Sequence, residues 1–465
     1  MADRPFASGS SYPVRTTSSL DFFVDGEHSF EAIAAAISAA QGYVYITCAY
    51  GSVAFKPCPP AGPSLLDLCA QACERGVTVA VLIWLPDGTV SDTIPLTQAD
   101  EFARRRIAAR WDKAKCRGVY AVVPQLACHH QKTFVIDGQK AFVGGINMVQ
   151  SYWDTRAHAS VDERRVGYEV TDAGLRARTA ADMKLLPLHD AFSAFTGPAV
   201  ADVEANFVER WNGASLRDAT TRDLMASLAG SDPGAATRIQ IVRTIAPDTY
   251  PHTASGEESV KEAMLALIAS ATQSIYFENQ YFFDGDVVEA IRAAANRGVR
   301  VVGLLCRSPD AGTTVGVLED FLDAGSESRL RWAVLDPAMQ KCVQLYSPVT
   351  TDLPTKDIYV HAKLMIADDR YALLGSANIA FTSLEFHSEM CALVDDAGKV
   401  LALRRSLFAE HLCVPEDEVP PGFADGAGMW AAHAVGNLAR LKGRAAPNSR
   451  VIPLSPVSAW NEDAG

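Results

Sequence analysis

A chain of 465 residues is too long for one ordinary hydrophobic core and points to two or three domains. It is 48% hydrophobic and 21% charged, with no run near the roughly 18 uncharged apolar residues that a membrane span needs. A net charge of −13 argues against nucleic acid as the main partner and against purely electrostatic docking on anionic membranes.

Residues 1–19 read as a polar lead-in without the apolar stretch of a secretory signal, so the expected location is the cytoplasm, with export by a signal-less route as the alternative. Residues 30–41 are Ala-rich with apolar residues at helical spacing, and 43–47 form a β-branched and aromatic run that reads as a buried strand. After a loop around Cys58-Pro59-Pro60, a helix is expected over 65–73 and a strand over 77–83. A charged helix over 99–110 and a strand over 119–124 follow. The second half repeats this order: helix 260–272, strand 274–277, helix 286–294, strand 299–305, helix 317–323 and strand 330–335, with 358–361 leading into a second motif. The ten cysteines are scattered, with no CxxC pair, and Cys69 and Cys73 share a helix face, so reduced thiols are expected and no metal site is read from them. His387, His411 and His433 carry no spacing that reads as a ligand set.

The repeat centres on His130-Gln131-Lys132 followed by Asp137, and on His361-Ala362-Lys363 followed by Asp368. Gly144-Gly145-Ile146-Asn147 trails the first copy and Gly375-Ser376-Ala377-Asn378 the second. His130 and His361 are 231 residues apart, as are Tyr45 and Tyr276, so this is one internal duplication rather than a short-period array. Alternating helices and strands imply an α/β fold: two similar lobes, mixed sheets flanked by helices, related by a pseudo-twofold axis with the active site at the lobe interface. The expected boundaries are a lead-in at 1–19, a first lobe at 20–212, a linker at 213–245, a second lobe at 246–415 and a tail at 416–465. Residues 419–422 and 426–428 read as loop.

On an extended segment, residues i and i+2 point the same way, so His130 shares a face with Lys132 and His361 with Lys363. Asp137 and Asp368 face away and read as structural supports of the turn. Two imidazoles and two ammonium groups converging between lobes suit phosphoryl transfer. One imidazole can attack phosphorus and form a phosphohistidine, while the other serves as general acid and then base. The lysines offset the transition-state charge without a metal, and Asn147 and Asn378 add hydrogen bonds. His129 reads as a neighbour facing the opposite side and Cys128 as packing.

The duplicated H-x-K-x4-D motif with its G-G/S-x-N trailer resembles the signature of the phospholipase D superfamily. The stretch Phe277-Glu278-Asn279-Gln280-Tyr281-Phe282 is similar to a further conserved block of that family, as are Asp357-Ile358-Tyr359-Val360, residues 369–378, 196–200 and 207–212. These stretches spread over most of 25–415 and are closest to true phospholipases D. The resemblance implies His130 as nucleophile and His361 as general acid/base. It implies that Lys132, Lys363, Asn147 and Asn378 hold the phosphate. Gly145 and Ser376 belong to the motif trailers, and Glu278, Asn279 and Gln280 shape the site. It further implies an acidic residue behind each histidine: Glu389 for His361 and Asp190 for His130, with Asp154 and Asp162 as rivals because residues 151–188 read as an insertion.

The resemblance also implies a reaction without calcium, other metal or cofactor. The substrate would be a phosphatidylcholine-like lipid at a membrane or micelle surface, with water or a primary alcohol as acceptor. The chain is expected to act as a monomer carrying both motifs, with no nucleic-acid partner. The loops 150–188, 308–316 and 343–356 are the candidates for lipid contact. A cardiolipin-synthase-type phosphatidyltransferase is the main alternative and a nucleic-acid phosphodiesterase a weaker one.

Overall fold

The computed structural model describes residues 5–17, 19–86, 92–114, 128–217, 222–227, 230, 236–307 and 342–454. The expected strands 119–124 and 330–335, the helix 317–323 and the loop 308–316 lie outside the described residues.

In chain order the first half contributes β1 (Arg15–Thr17), β2 (Leu20–Val24), α1 (Asp25–Ala39), β3 (Tyr43–Cys48), α2 (Leu65–Glu74), β4 (Thr78–Trp84), α3 (Ala99–Arg104), β5 (Ala108–Asp112), β6 (Thr133–Ile136), β7 (Lys140–Gly144), α4 (Ala173–Ala181), β8 (Leu188–His189), β9 (Ala191–Thr196), α5 (Ala199–Gly213) and β10 (Leu216–Arg217). The second half contributes β11 (Thr237–Ile245), β12 (Glu257–Glu258), α6 (Ser259–Ser270), β13 (Ser274–Asn279), α7 (Gly285–Asn296), β14 (Arg300–Leu305), β15 (Val343–Pro348), β16 (Tyr359–Val360), β17 (Leu364–Ala367), β18 (Tyr371–Gly375), β19 (Glu389–Asp395), α8 (Ala397–Leu412), α9 (Phe423–Lys442) and β20 (Val451–Pro453).

Two large sheets result. The first runs β10-β5-β4-β3-β6-β7-β9-β2, and the second β1-β11-β19-β18-β17-β13-β14-β15-β20 with β12 alongside β11. The duplication is visible residue by residue. Val44 pairs with Ile136 between β3 and β6, and Ile275 pairs with Ala367 between β13 and β17. Thr133 pairs with Val143, and Leu364 with Leu374. Each of these pairings reappears 231 residues later in the other sheet.

The strands at the sheet centres are buried on both faces, which explains their unbroken apolar runs. Val44 and Ile46 face α1 and α2, where Phe30, Ile33, Leu65 and Leu68 complete one core. Ser64 and Asp67 close the start of α2 as a reciprocal capping box. Ile275 and Phe277 face α6 and α7 in a corresponding outer core. Tyr45 and Tyr276, one position along, turn inward to a third core that also holds Phe207 and Trp211 of α5, Leu407 of α8 and Trp430 of α9. This inner layer belongs to both lobes at once, so the interface is core rather than a wet seam.

Several expectations need correction. The helix expected over 99–110 stops at Arg104, because Arg106 takes φ +61° and turns the chain into β5. Residues 237–245, assigned to the linker, form β11, whose Ile239 and Ile241 join the inner core and which pairs with β19. The lead-in at 1–19 is more than a lead-in, since its β1 pairs with β11 in the sheet of the second lobe. The tail is not loop at 426–428. Gly426 lies inside α9, where an added Cβ would stand 3.0 Å from the Phe408 ring.

Candidate active site

His130, Lys132, His361 and Lys363 sit just before β6 and β17, on extended backbone that leaves its own sheet and pairs with the opposite lobe. His130 N–H donates to Ser388 O at 2.9 Å, and Ser388 N–H to Cys128 O. His361 N–H donates to His189 O at 2.8 Å, and β16 pairs in parallel with β8. The bridge between His129 and Ser388 is the counterpart of that between Val360 and His189. Each histidine is thus laid beside the chain segment that carries the other lobe's acid.

This exchange corrects the acid assignments. His130 Nδ1 meets Glu389 Oε1 at 3.0 Å, and His361 Nδ1 meets Asp190 Oδ2 at 2.6 Å. The lobes cross over, so the acid that follows each motif in sequence serves the other motif's histidine. Asp154 and Asp162 are excluded as rivals: Asp154 engages His158, Arg165 and the Leu188 N–H, and Asp162 engages Arg164. Forty-three residues separate Asn147 from Asp190 and eleven separate Asn378 from Glu389, so the insertion lengthens the path without moving the acid.

The His130 and His361 rings stand 6.3 Å apart at 70° to each other. Lys132 Nζ donates to the carbonyl of its own motif histidine at 2.7 Å, and Lys363 Nζ does the same and reaches Gln280 Oε1 at 3.3 Å. All four side chains are buried. Asn147 Nδ2, a donor, and Asn378 Oδ1, an acceptor, are buried without a hydrogen-bond partner among the described residues, so Asn147 has an amide donor left for a ligand oxygen.

Asp137 and Asp368 are remote from the histidines. Asp137 accepts the N–H groups of Gln41, Gly42 and Tyr43 at 2.7–2.9 Å, holding the entry to β3. Asp368 does the same for Thr272, Gln273 and Ser274 at the entry to β13. Each clamps the neighbouring strand's start, not its own turn as the sequence implied. Asn279 Oδ1 accepts from the N–H groups of Tyr281 and Ile379, beside Asn378. Gln280 enters the site through Lys363, while Glu278 turns away to His189 and His411.

The two halves differ in electrostatics. Glu389 is buried, yet His130 and His387 hold its carboxyl well below the usual range, and Ser376 Oγ donates to it as well. Burial pushes Asp190 up to about 7, only partly offset by Lys363. In place of a serine this half has Gly145, where an added Cβ would stand 2.3 Å from Asp190 Oδ1. Burial pushes His130 down to about 4 against the pull of Glu389. It also pushes Lys132 down to about 7, again opposed by Glu389. Burial, with Lys363 and Lys132, lowers His361. His130 is therefore a neutral imidazole with Nδ1–H directed at an ionised carboxylate and Nε2 without a hydrogen-bond partner among the described residues. His361 and Asp190 share a proton.

Sequence reasoning missed the aromatic frame. Tyr152 stands edge-on to His361 at 4.9 Å, and Tyr50 edge-on to His130 at 6.4 Å. Tyr50 and Tyr281 share the 231-residue offset, a signal that extending the repeat comparison would have exposed.

A fold of two duplicated α/β lobes with a His–Lys pair from each at their interface defines a class, and comparison with known proteins agrees with it. The family-level sequence model described as "Phospholipase D" matches residues 36–288, and that described as "Cardiolipin synthase, PLD-like domain" matches 264–412. The chain belongs to the phospholipase D family. It is 24% identical over 476 residues to phospholipase D A of Dictyostelium discoideum, covering 88% of this chain and 37% of that protein. It is 24% identical over 605 residues to phospholipase D zeta 2 of Arabidopsis thaliana, covering 89% and 56%. The chain thus spans between about a third and a little over half of the length of these relatives. Among solved structures, the phosphatidylserine synthase of Haemophilus influenzae Rd KW20 shares the fold, with a TM-score of 0.58 and 16% identity over 85% of this chain and 87% of that one.

Proposed function

We propose that this chain is a phosphodiesterase that cleaves the distal phosphodiester of phosphatidylcholine-like glycerophospholipids, releasing phosphatidic acid and the head-group alcohol. The observation that carries the reading is the pair of Nδ1-anchored imidazoles 6.3 Å apart, each with an intact motif lysine. His130 Nε2 attacks phosphorus, and the P–O bond to the head group breaks as His361 passes its proton to the departing oxygen. His361 then takes a proton from water, whose oxygen displaces His130 and yields phosphatidic acid. A primary alcohol in place of water yields a phosphatidyl alcohol. Lys132, Lys363, Asn147 and Asn378 offset the charge on the non-bridging oxygens.

The test is to incubate the full chain with mixed phospholipid vesicles, with and without a primary alcohol, and to identify products by mass spectrometry. Phosphatidic acid, diverted to the phosphatidyl alcohol when alcohol is present, is the expected result. Absence of both would defeat the reading, and products formed only with a lipid-borne hydroxyl acceptor would favour the phosphatidyltransferase alternative. His130→Asn should lower turnover by roughly 10³-fold or more and abolish acid-labile phosphate label on the protein. His361→Asn should lower turnover comparably but retain label, because the attack step still has its nucleophile.

A further inference from the structure

Directly behind the site lies a buried polar cluster that the proposed reaction does not use. Asp25 opens α1, His158 lies in the insertion, His189 precedes Asp190, and Glu410 lies near the end of α8. All four are buried. His158 Nε2 is 3.1 Å from Glu410 Oε1 and 3.4 Å from Asp25 Oδ2, and His189 Nδ1 is 3.2 Å from Glu410 Oε1 and 3.0 Å from Asp25 Oδ1. These contacts use both carboxylate oxygens of Asp25, and one ligand atom from each of the four residues lies within 4.8 Å of the others, room for a zinc-sized ion whose ligands at about 2.0–2.2 Å would draw to about 3.3–3.6 Å from one another.

Three further features point to an ion. First, the outward nitrogen of each imidazole already has a carboxylate: His158 Nδ1 meets Asp154 at 3.2 Å and His189 Nε2 meets Glu278 at 2.9 Å. Such outer carboxylates fix the tautomer that presents a lone pair to a metal. Second, Asp25 Oδ2 is buried, faces the cluster and has no hydrogen-bond donor among the described residues. Third, Arg165 pairs with Asp154 and Arg156 with Glu410, but Asp25 and Glu278 have no lysine or arginine partner among the described residues, so their charge is met either by a dication or by protons on His158 and His189.

We propose that Asp25, His158, His189 and Glu410 bind one divalent transition-metal ion, zinc in the first instance. The two-nitrogen, two-oxygen donor set suits zinc and its neighbours rather than magnesium or calcium, which prefer oxygen alone. The ion takes no part in the phosphoryl transfer. It ties the first lobe to α8 and braces Asp190, because Asp25 N–H donates to Asp190 O at 2.8 Å and Asp190 N–H to Asp25 Oδ1 at 3.3 Å.

The test uses the untagged full chain. After extensive dialysis against metal-free buffer, plasma mass spectrometry should find about one zinc per chain. Where the purified protein carries none, cobalt added in excess and then removed by gel filtration should leave about one bound ion with the visible absorption of a low-coordinate site. Stripping the ion with a chelator should lower Tm by several degrees, and zinc should restore it. His158→Gln and Asp25→Asn should lose the ion while His433→Gln keeps it. Should those variants fail to fold, the wild-type cobalt spectrum decides alone. Wild-type protein that retains neither zinc nor cobalt after loading, with Tm unchanged, overturns the proposal and assigns the cluster to two shared protons. Retention of the ion by folded His158→Gln and Asp25→Asn proteins overturns it equally. None of these readouts depends on phospholipid cleavage, so failure here leaves the catalytic reading standing, and the reverse.

Discussion

His130 and His361 come from equivalent positions of a repeat, yet their surroundings assign them different work. Glu389 is kept ionised by His130, His387 and a serine hydroxyl, while Asp190 has glycine where the other half has serine. That single difference, Gly145 against Ser376, has a direct test. Gly145→Ala places a methyl 2.3 Å from Asp190 Oδ1, so the carboxylate must leave His361. Turnover should fall by roughly 10²-fold or more, with a stability cost of about 1–3 kcal/mol read by urea denaturation. Wild-type turnover in that variant would show that Asp190 is dispensable. The pH profile follows from the same groups. Below pH about 4, His130 gains the proton that occupies its lone pair, so kcat/KM falls on the acid side. Above pH about 7, the His361–Asp190 pair loses its shared proton and Lys132 its charge, and both losses act in the same direction. A bell is expected with its alkaline limb near 7. A profile flat between pH 6 and 9 would contradict this assignment.

At the scale of elements, the motif aspartates act on strands. Asp137 gathers three N–H groups at the start of β3, and Asp368 three at the start of β13. Asp137→Ala leaves those donors to water at the start of β3, a central strand of the first sheet. The expected cost is about 1–3 kcal/mol in chemical denaturation, with kcat near wild type at low temperature. A loss of kcat as deep as that of His130→Asn, in a folded protein, would place Asp137 in the chemistry instead. The same scale explains the corrections to the sequence reading. The positive φ at Arg106 ended a charged helix six residues early, and only the partner β19 reveals that 237–245 is a strand. Glycines at 426 and 428 lower helix propensity, but Gly426 is used for the close approach of Phe408.

At the scale of the molecule, the two lobes are bound by exchange. Each sends the backbone before its motif to pair with the other, and each receives an acid behind its histidine. Imidazole NMR can check this crossing. The Nδ1–H resonance of His130, shifted downfield by its carboxylate, should move on Glu389→Gln and stay in place on Asp190→Asn, with the reverse for His361. The opposite pattern would mean that each lobe supplies its own acid. A shared inner core with Tyr45, Tyr276, α5, α8 and Trp430 makes the exchange rigid.

The duplication, the α/β alternation, the His–Lys pairs and their asparagines were all legible in the sequence. A repeat of 231 residues is linear information, and period-2 geometry alone separates His and Lys from the aspartate seven positions on. What needed tertiary structure was every relation that runs between the copies. No spacing says which lobe's acid stands behind which histidine, because the crossing arises from backbone pairing of segments 128–130 with 388 and 359–361 with 187–189. Nor does any motif join Asp25, His158, His189 and Glu410. They span most of the chain, and only the closing of two sheets on one core brings their ligand atoms together.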